Sequence, residues 1–167
     1  MHCAGRNKNA ITLFRFKTVK RRFGFTGDLG RKDMPILRDP DYLRDLDILM
    51  MESTYGNRLH RVSSDIEEDL AKIVREVAGS GGKIVIPSFA VGRTQLLVYL
   101  LHKLFNQNRI PDMPIYVDSP LAVNATEVFR RNPECFDRET QRLFLEDNSD
   151  PFGFGRLRYI KNVEESK

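Results

Sequence analysis

Between residues 47 and 163 the chain alternates short apolar runs with longer stretches of helical periodicity, and this alternation narrows the possible folds most. "DILMMEST" (47–54) is a continuous apolar run closed by polar residues, the pattern of a strand buried on both faces. "SSDIEEDLAKIVREVAGSGG" (63–82) predicts a helix. Ser64 and Glu67 form a capping box, Ile66, Leu70, Ile73, Val74 and Val77 repeat at helical spacing, and Gly79, Gly81 and Gly82 end it. "KIVIPSF" (83–89) predicts a second strand. The helix "VGRTQLLVYLLHKLF" (91–105) follows, with Leu96, Leu97, Leu100, Leu101 and Leu104 on one side. "PIYVDSP" (114–120) predicts a third strand leading into a helix through Ala125, Val128 and Phe129, and "RLRYIKNV" (156–163) a last strand. Strands separated by helices are joined by crossovers, so the class is α/β with a parallel sheet. Upstream, "AITLFRFKTV" (10–19) and "RRFGFTGD" (21–28) predict two paired strands, with Ile11, Leu13, Phe14 and Phe16 facing inward.

Bulk properties set the remaining limits. A chain of 167 residues fits one domain, or one and a piece of another, and 41% hydrophobic content can fill a core. With 27 Lys and Arg against 23 Asp and Glu, the net charge of +4 permits a polyanionic partner without requiring one. Cys3 and Cys135 form no C-x-x-C pair, which suits a reducing compartment. The longest apolar run, "LLVYLL" (96–101), is far short of the roughly 20 residues a membrane span needs. With no apolar segment in "MHCAGRNKNA", the expected location is the cytoplasm.

Polar residues gather where parallel sheets place their sites, at the carboxyl ends of strands. Asp28 follows one predicted strand, Glu52-Ser53-Thr54 ends another, Ser88 ends a third and Asp118-Ser119 a fourth. Any one of these alone is most simply a turn or a helix cap. In "PSFAVGRTQ" (87–95) a strand stops, a short loop carries Ser88, and Gly92-Arg93-Thr94 opens a long helix. Free amides and the positive end of the dipole favour an anion there, and Arg93 can grip a phosphate with two hydrogen bonds. A capped helix start with a solvated arginine is the plainer alternative. No Walker loop is present.

Five segments, "FTGDLGR", "ESTYGNRLH", "IPSFAVGRTQLL", "PIYVDSPLA" and "VEESK", resemble in order and spacing the β-CASP branch of the metallo-β-lactamase superfamily, a group of RNA-processing nucleases. The resemblance implies a Rossmann-like β-CASP domain over 47–167, incomplete at its C-terminus, preceded over 1–46 by the C-terminal piece of a metallo-β-lactamase half that contributes the two N-terminal strands. It implies zinc, two ions in the complete enzyme, with Asp28 as the bridging carboxylate and Glu52 as the acidic residue of the first β-CASP motif. "HCAG" is similar to the family's His-x-x-Gly, which makes His2 a candidate zinc ligand, although Arg6-Asn7 depart from the usual small residues. His60 and His102 are read as a loop and a structural residue. Ser88, Gly92 and Arg93 become contacts to the RNA backbone, aided by Arg156 and Arg158. The partner implied is RNA, with no membrane and with room for a homo-oligomer in the complete enzyme.

The His-x-His-x-Asp-His run and the later β-CASP motifs of the family do not occur in these 167 residues. The expectation is therefore part of a zinc-dependent hydrolase of phosphodiester bonds, inactive by itself. One alternative is a non-catalytic RNA- or nucleotide-binding module of the same fold. Another is a magnesium phosphotransferase using Asp28, Glu52 and Asp118; magnesium takes oxygen ligands, whereas imidazole with a shared carboxylate suits zinc.

Overall fold

A computed structural model describes residues 2–4, 11–15, 21–30, 32–42, 44–57, 66–145, 150–162 and 164–166, the first two segments as backbone alone. The fold is α/β, and the chain divides into two compact units, residues 1–62 with 135–138 and residues 63–134 with 139–167.

The first unit is built on one sheet of four short strands in the order β1 (His2–Ala4), β2 (Ile11–Arg15), β3 (Arg22–Phe25), β4 (Ile48–Met50). β2 is antiparallel to both β1 and β3, and β4 runs parallel to β3 with Gly24 opposite Leu49. Thus β2 and β3 lie within the two expected strands, and β1 is a further one. The inward orientation expected of Ile11, Leu13, Phe14 and Phe16 lies outside the described residues. Asp47 pins the entry of β4: its N–H donates to Arg22 O at 2.9 Å, and its carboxylate accepts from Arg22 N at 2.6 Å and Arg21 Nη1 at 3.0 Å. The Arg22 amide first, and then the Arg21 guanidinium, hold the Asp47 carboxyl below the usual carboxylate range.

One expectation is corrected here. The run 48–51 is not buried on both faces: Leu49 is 51% and Met51 58% exposed. Among the described residues β4 pairs with β3 alone, so its apolar character marks an uncovered sheet edge. A small apolar cluster also forms in this unit where Leu37 bridges Phe136, beside buried Ile36 and Cys135. Ile36 has φ 82, a strained conformation for a β-branched residue, and it is held there partly by Asp137 N donating to Ile36 O at 2.8 Å.

The second unit packs α1 (Ile66–Gly79) against α2 (Arg93–Asn106). Glu67, Glu68 and Asp69 complement the dipole in the first turn of α1. The helix closes in a Schellman motif, with Gly82 N donating to Val77 O, Gly81 N to Ala78 O, and Gly81 at φ 68. The expected capping Ser64 lies outside the described residues. α2 ends in the same motif with Asn108 at φ 55 in the left-handed position. Between the helices lie Ala71, Val74, Leu101, Leu104 and Ile110, flanked by Leu70, Ile84, Phe105, Met113 and Ile115. Above them Glu67 accepts from Lys103 at 2.7 Å, and Glu68 accepts from Arg75 and Arg109, each at 2.6 Å. Two residues of the anticipated α1 stripe, Ile66 and Ile73, are 41% and 50% exposed. The buried stripe is centred on Ala71 and Val74, leaving those two at its margin.

β5 (Ile115–Asp118) and β6 (Leu157–Ile160) form a parallel pair, joined in sequence by α3 (Pro120–Arg130) and α4 (Arg138–Leu145). Ser119 caps α3 by accepting Ala122 N–H at 3.2 Å, with Pro120 in the first turn where a missing N–H costs nothing. The strand expected over 83–89 does not form. A strand needs a ladder partner, and among the described residues β5 pairs only with β6. Val85 is accordingly 89% exposed.

His102, on the inner side of α2, stacks on Phe154 with ring centroids 4.9 Å apart and sets Nδ1 3.4 Å from Pro151 O. Burial holds its imidazole below the ordinary value of 6.5, against the opposing pull of the Pro151 carbonyl and of Asp150. Because the folded pKa lies below the unfolded one, the unfolded chain takes up more protons on acidification. The stability His102 confers is therefore complete above the ordinary value and is lost as pH falls through it toward the folded value. The melting temperature is expected to fall on acidification below neutrality, and less steeply in His102→Phe, which keeps the ring stack. Identical acid limbs in the two proteins would show that His102 is not the group responsible.

Candidate functional site

The turn after β3 draws Asp28 and Glu52 to one end of the first sheet. Thr26 N donates to Met50 O at 3.1 Å, extending the β3–β4 ladder by one rung, and the buried Thr26 hydroxyl accepts Glu52 N–H at 3.3 Å. Gly27 then turns the chain with φ 57, and a Cβ there would meet nothing within 4 Å. Backbone conformation, rather than crowding, is what calls for glycine at this position. Asp28 emerges with its carboxylate exposed, and the next amide, Leu29 N–H, donates to Glu52 Oε1. Two candidate carboxylates therefore share one turn. The backbone of His2 stands opposite Leu13, which faces Gly24, so its row lies ahead of the Asp28 turn; its side chain is outside the described set. His60 is outside it as well.

The second group of candidates lies in the other unit, at the start of α2. Gly92 adopts φ 90 and offers no side chain to cap the helix. Gln95 does so from within, its Oε1 accepting Gly92 N–H at 2.6 Å. The Thr94 hydroxyl lies 2.8 Å from Phe89 O and 3.2 Å from Ser88 Oγ, folding the loop back over the first turn. Arg93 is exposed in that turn and makes no ion pair among the described residues. A cleft of about 410 Å³ opens between the loop before α2 and the end of β5, and Arg93 is not among the residues that line it. Ser88 and Thr94 line one part and Asp118 and Ser119 another, over a floor that includes Leu97 and Val117. Polar groups at the carboxyl end of β5 thus share a cavity with the loop before α2, as open α/β sheets arrange their ligand sites. Asp118 accepts from Ser166 Oγ at 2.6 Å, and Arg156 pairs with Asp112, leaving Arg158 the less encumbered of the two anticipated basic contacts.

Sequence patterns did not single out Thr26 or Gln95, and named Thr94 only as part of the helix start. A glutamine three residues after a helix-opening glycine is half of a capping box, and that is the signal that points to Gln95. The fit to zinc is incomplete: among the described residues no three His, Cys, Asp or Glu side chains converge. Among those residues also, no helix is long and apolar enough to cross a membrane.

The α/β chain thus brings two carboxylates to one sheet end and an exposed arginine to the start of a helix. A β-CASP domain profile matches residues 94–167. A ribonuclease of Thermus thermophilus is 34% identical over 147 residues, covering 88% of this chain and 33% of that protein. An RNase J-like protein of Methanocaldococcus jannaschii is 30% identical over 148 residues, 85% of this chain and 33% of its own length. The cleavage and polyadenylation specificity factor 73 of Drosophila melanogaster is 30% identical over 154 residues, 91% of this chain and 22% of its own length. The chain spans between about a fifth and a third of the length of these relatives. It belongs to the β-CASP branch of the metallo-β-lactamase superfamily.

Proposed function

We propose that this chain is part of a zinc-dependent hydrolase of RNA phosphodiester bonds that acts in the cytoplasm. Residues 1–46 would belong to the metallo-β-lactamase half and 47–167 to the β-CASP domain. The observation that carries this reading is the Leu29 N–H to Glu52 hydrogen bond, which keeps the Glu52 carboxylate beside the Asp28 turn. Glu52 orients that turn, Asp28 and His2 are the ligands this chain offers to a metal, and Ser88 and Arg93 hold the RNA backbone; Gly92, anticipated as a third contact, has its N–H taken by Gln95. Backbone contacts carry no base information, so binding is expected to be sequence-tolerant and strongly salt-dependent.

A second reading is a non-catalytic RNA-binding module of the same fold. Structural zinc sites are four-coordinate, and ligands too few to close the shell bind weakly. The 167-residue chain is accordingly expected to retain less than one zinc per molecule after desalting and to leave labelled single-stranded RNA intact in added zinc. Metal analysis with a nuclease assay checks both points. Tightly held zinc, with cleavage that Asp28→Ala abolishes, would contradict the expectation that this chain alone is inactive. Failure to bind RNA would remove the function itself.

A further inference from the structure

We infer that Gln95 is the positioning residue of the loop 88–93, holding Gly92 so that Ser88 and Arg93 keep the geometry that grips a phosphate; the inference rests on the backbone-binding role proposed above for that loop. Besides Gln95, the Thr94 hydroxyl holds the start of the loop through Phe89 O and Ser88 Oγ, and neither of those bonds reaches Gly92 or Arg93. The extended run before the loop pairs with no strand among the described residues, and Phe89 and Val91 are 77% and 52% exposed. Gln95 is 1% exposed, one turn inside α2. Its Oε1 accepts Gly92 N–H at 2.6 Å, and its Nε2 donates to Ala90 O at 3.0 Å and to Thr126 Oγ1 at 3.0 Å. Thr126 spends its own proton on Ala122 O at 2.8 Å, which leaves a lone pair facing the amide.

This pattern fixes the amide orientation. Exchanging oxygen and nitrogen would set an N–H₂ against the Gly92 N–H and an oxygen against the Ala90 carbonyl. One side chain therefore satisfies a donor and an acceptor of the loop and anchors both to α3. A buried amide is costly unless all of its hydrogen bonds are made, and a leucine would fill this helix position at no such cost. The polar choice is explained by the loop. Gly92 is at φ 90, a conformation with no side chain of its own to stabilise it, and Arg93 follows directly, so the hydrogen bond to Gly92 N–H sets the direction in which the arginine leaves the backbone.

The test is a double-mutant cycle read by fluorescence anisotropy with a fluorescein-labelled single-stranded oligouridylate over a salt series. Gln95→Met keeps length and volume while removing every hydrogen bond. It is expected to weaken binding roughly tenfold, as loss of a charge-assisted contact does, and to lower the salt slope to that of Arg93→Ala. The Gln95→Met, Arg93→Ala double variant is expected to bind no more weakly than Arg93→Ala alone. A merely structural glutamine would lower the melting temperature, leave affinity unchanged well below it, and let Arg93→Ala exert its full effect in the Gln95→Met background; that result overturns the inference. If Gln95→Met does not fold, Thr126→Val removes the outer anchor without altering α2, and the same cycle is run on it with the same two outcomes. Arg93→Ala without effect in the intact chain would instead overturn the phosphate-loop reading, and this inference with it.

Discussion

Replacing Leu104 with alanine is expected to destabilise the second unit by about 3 kcal/mol, within the roughly 2–5 kcal/mol found for deleting a fully buried leucine side chain. Leu104 is 0% exposed and belongs to the cluster in which Ala71 and Val74 of α1 meet Leu101 and Ile110. A close-packed core relaxes only partly around a deleted side chain. The penalty combines lost transfer free energy with a cavity that persists. The ion pairs above the core cannot compensate, because surface pairs contribute at most about 1 kcal/mol each. Urea unfolding followed by far-ultraviolet circular dichroism reads the shift in midpoint at unchanged slope. Ile73→Ala, at a position 50% exposed, is the control and is expected to cost well under half as much. Equal losses at both positions would mean that the core is not where the burial pattern puts it.

The helices were legible because their period is local. Leu100, Leu101 and Leu104 recur at helical spacing and are buried as that spacing requires. The glycines after α1 announced its Schellman ending. Strands were less legible, since a strand exists only with a partner and the pattern of one run does not say whether a partner is there. "KIVIPSF" has the composition of a buried strand and forms no ladder, while "DILM" forms one as an exposed edge. Helix α4 was not anticipated at all. Its apolar positions, Leu143 and Phe144 among them, fall in a short segment crowded with charge.

At the candidate site the turn residues could be read and their supports could not. Asp28 and Glu52 stood out as acids at strand ends. Thr26 bonds Glu52 across 26 positions and Gln95 bonds Thr126 across 31, and no local pattern encodes such a pairing. Polar residues that bury themselves to hold a loop look, in sequence, like ordinary surface positions.

In the proposed function the loop before α2 grips an RNA backbone through Arg93. A cation in the first turn of a helix opposes the dipole, at roughly 0.3–1 kcal/mol, unless an anion pairs with it. Arg93 is exposed there, next in sequence to Thr94 of the cleft lining, with no ion pair among the described residues to account for its position. The measurement that tests this most directly is the affinity of the chain and of Arg93→Ala for several unrelated single-stranded RNAs over a salt series. Affinities are expected to fall linearly with salt on logarithmic axes and to depend little on sequence. Arg93→Ala should weaken all of them by roughly tenfold and lower the slope by about one. Unchanged affinity and slope in Arg93→Ala, or a loss confined to one RNA sequence, would contradict it.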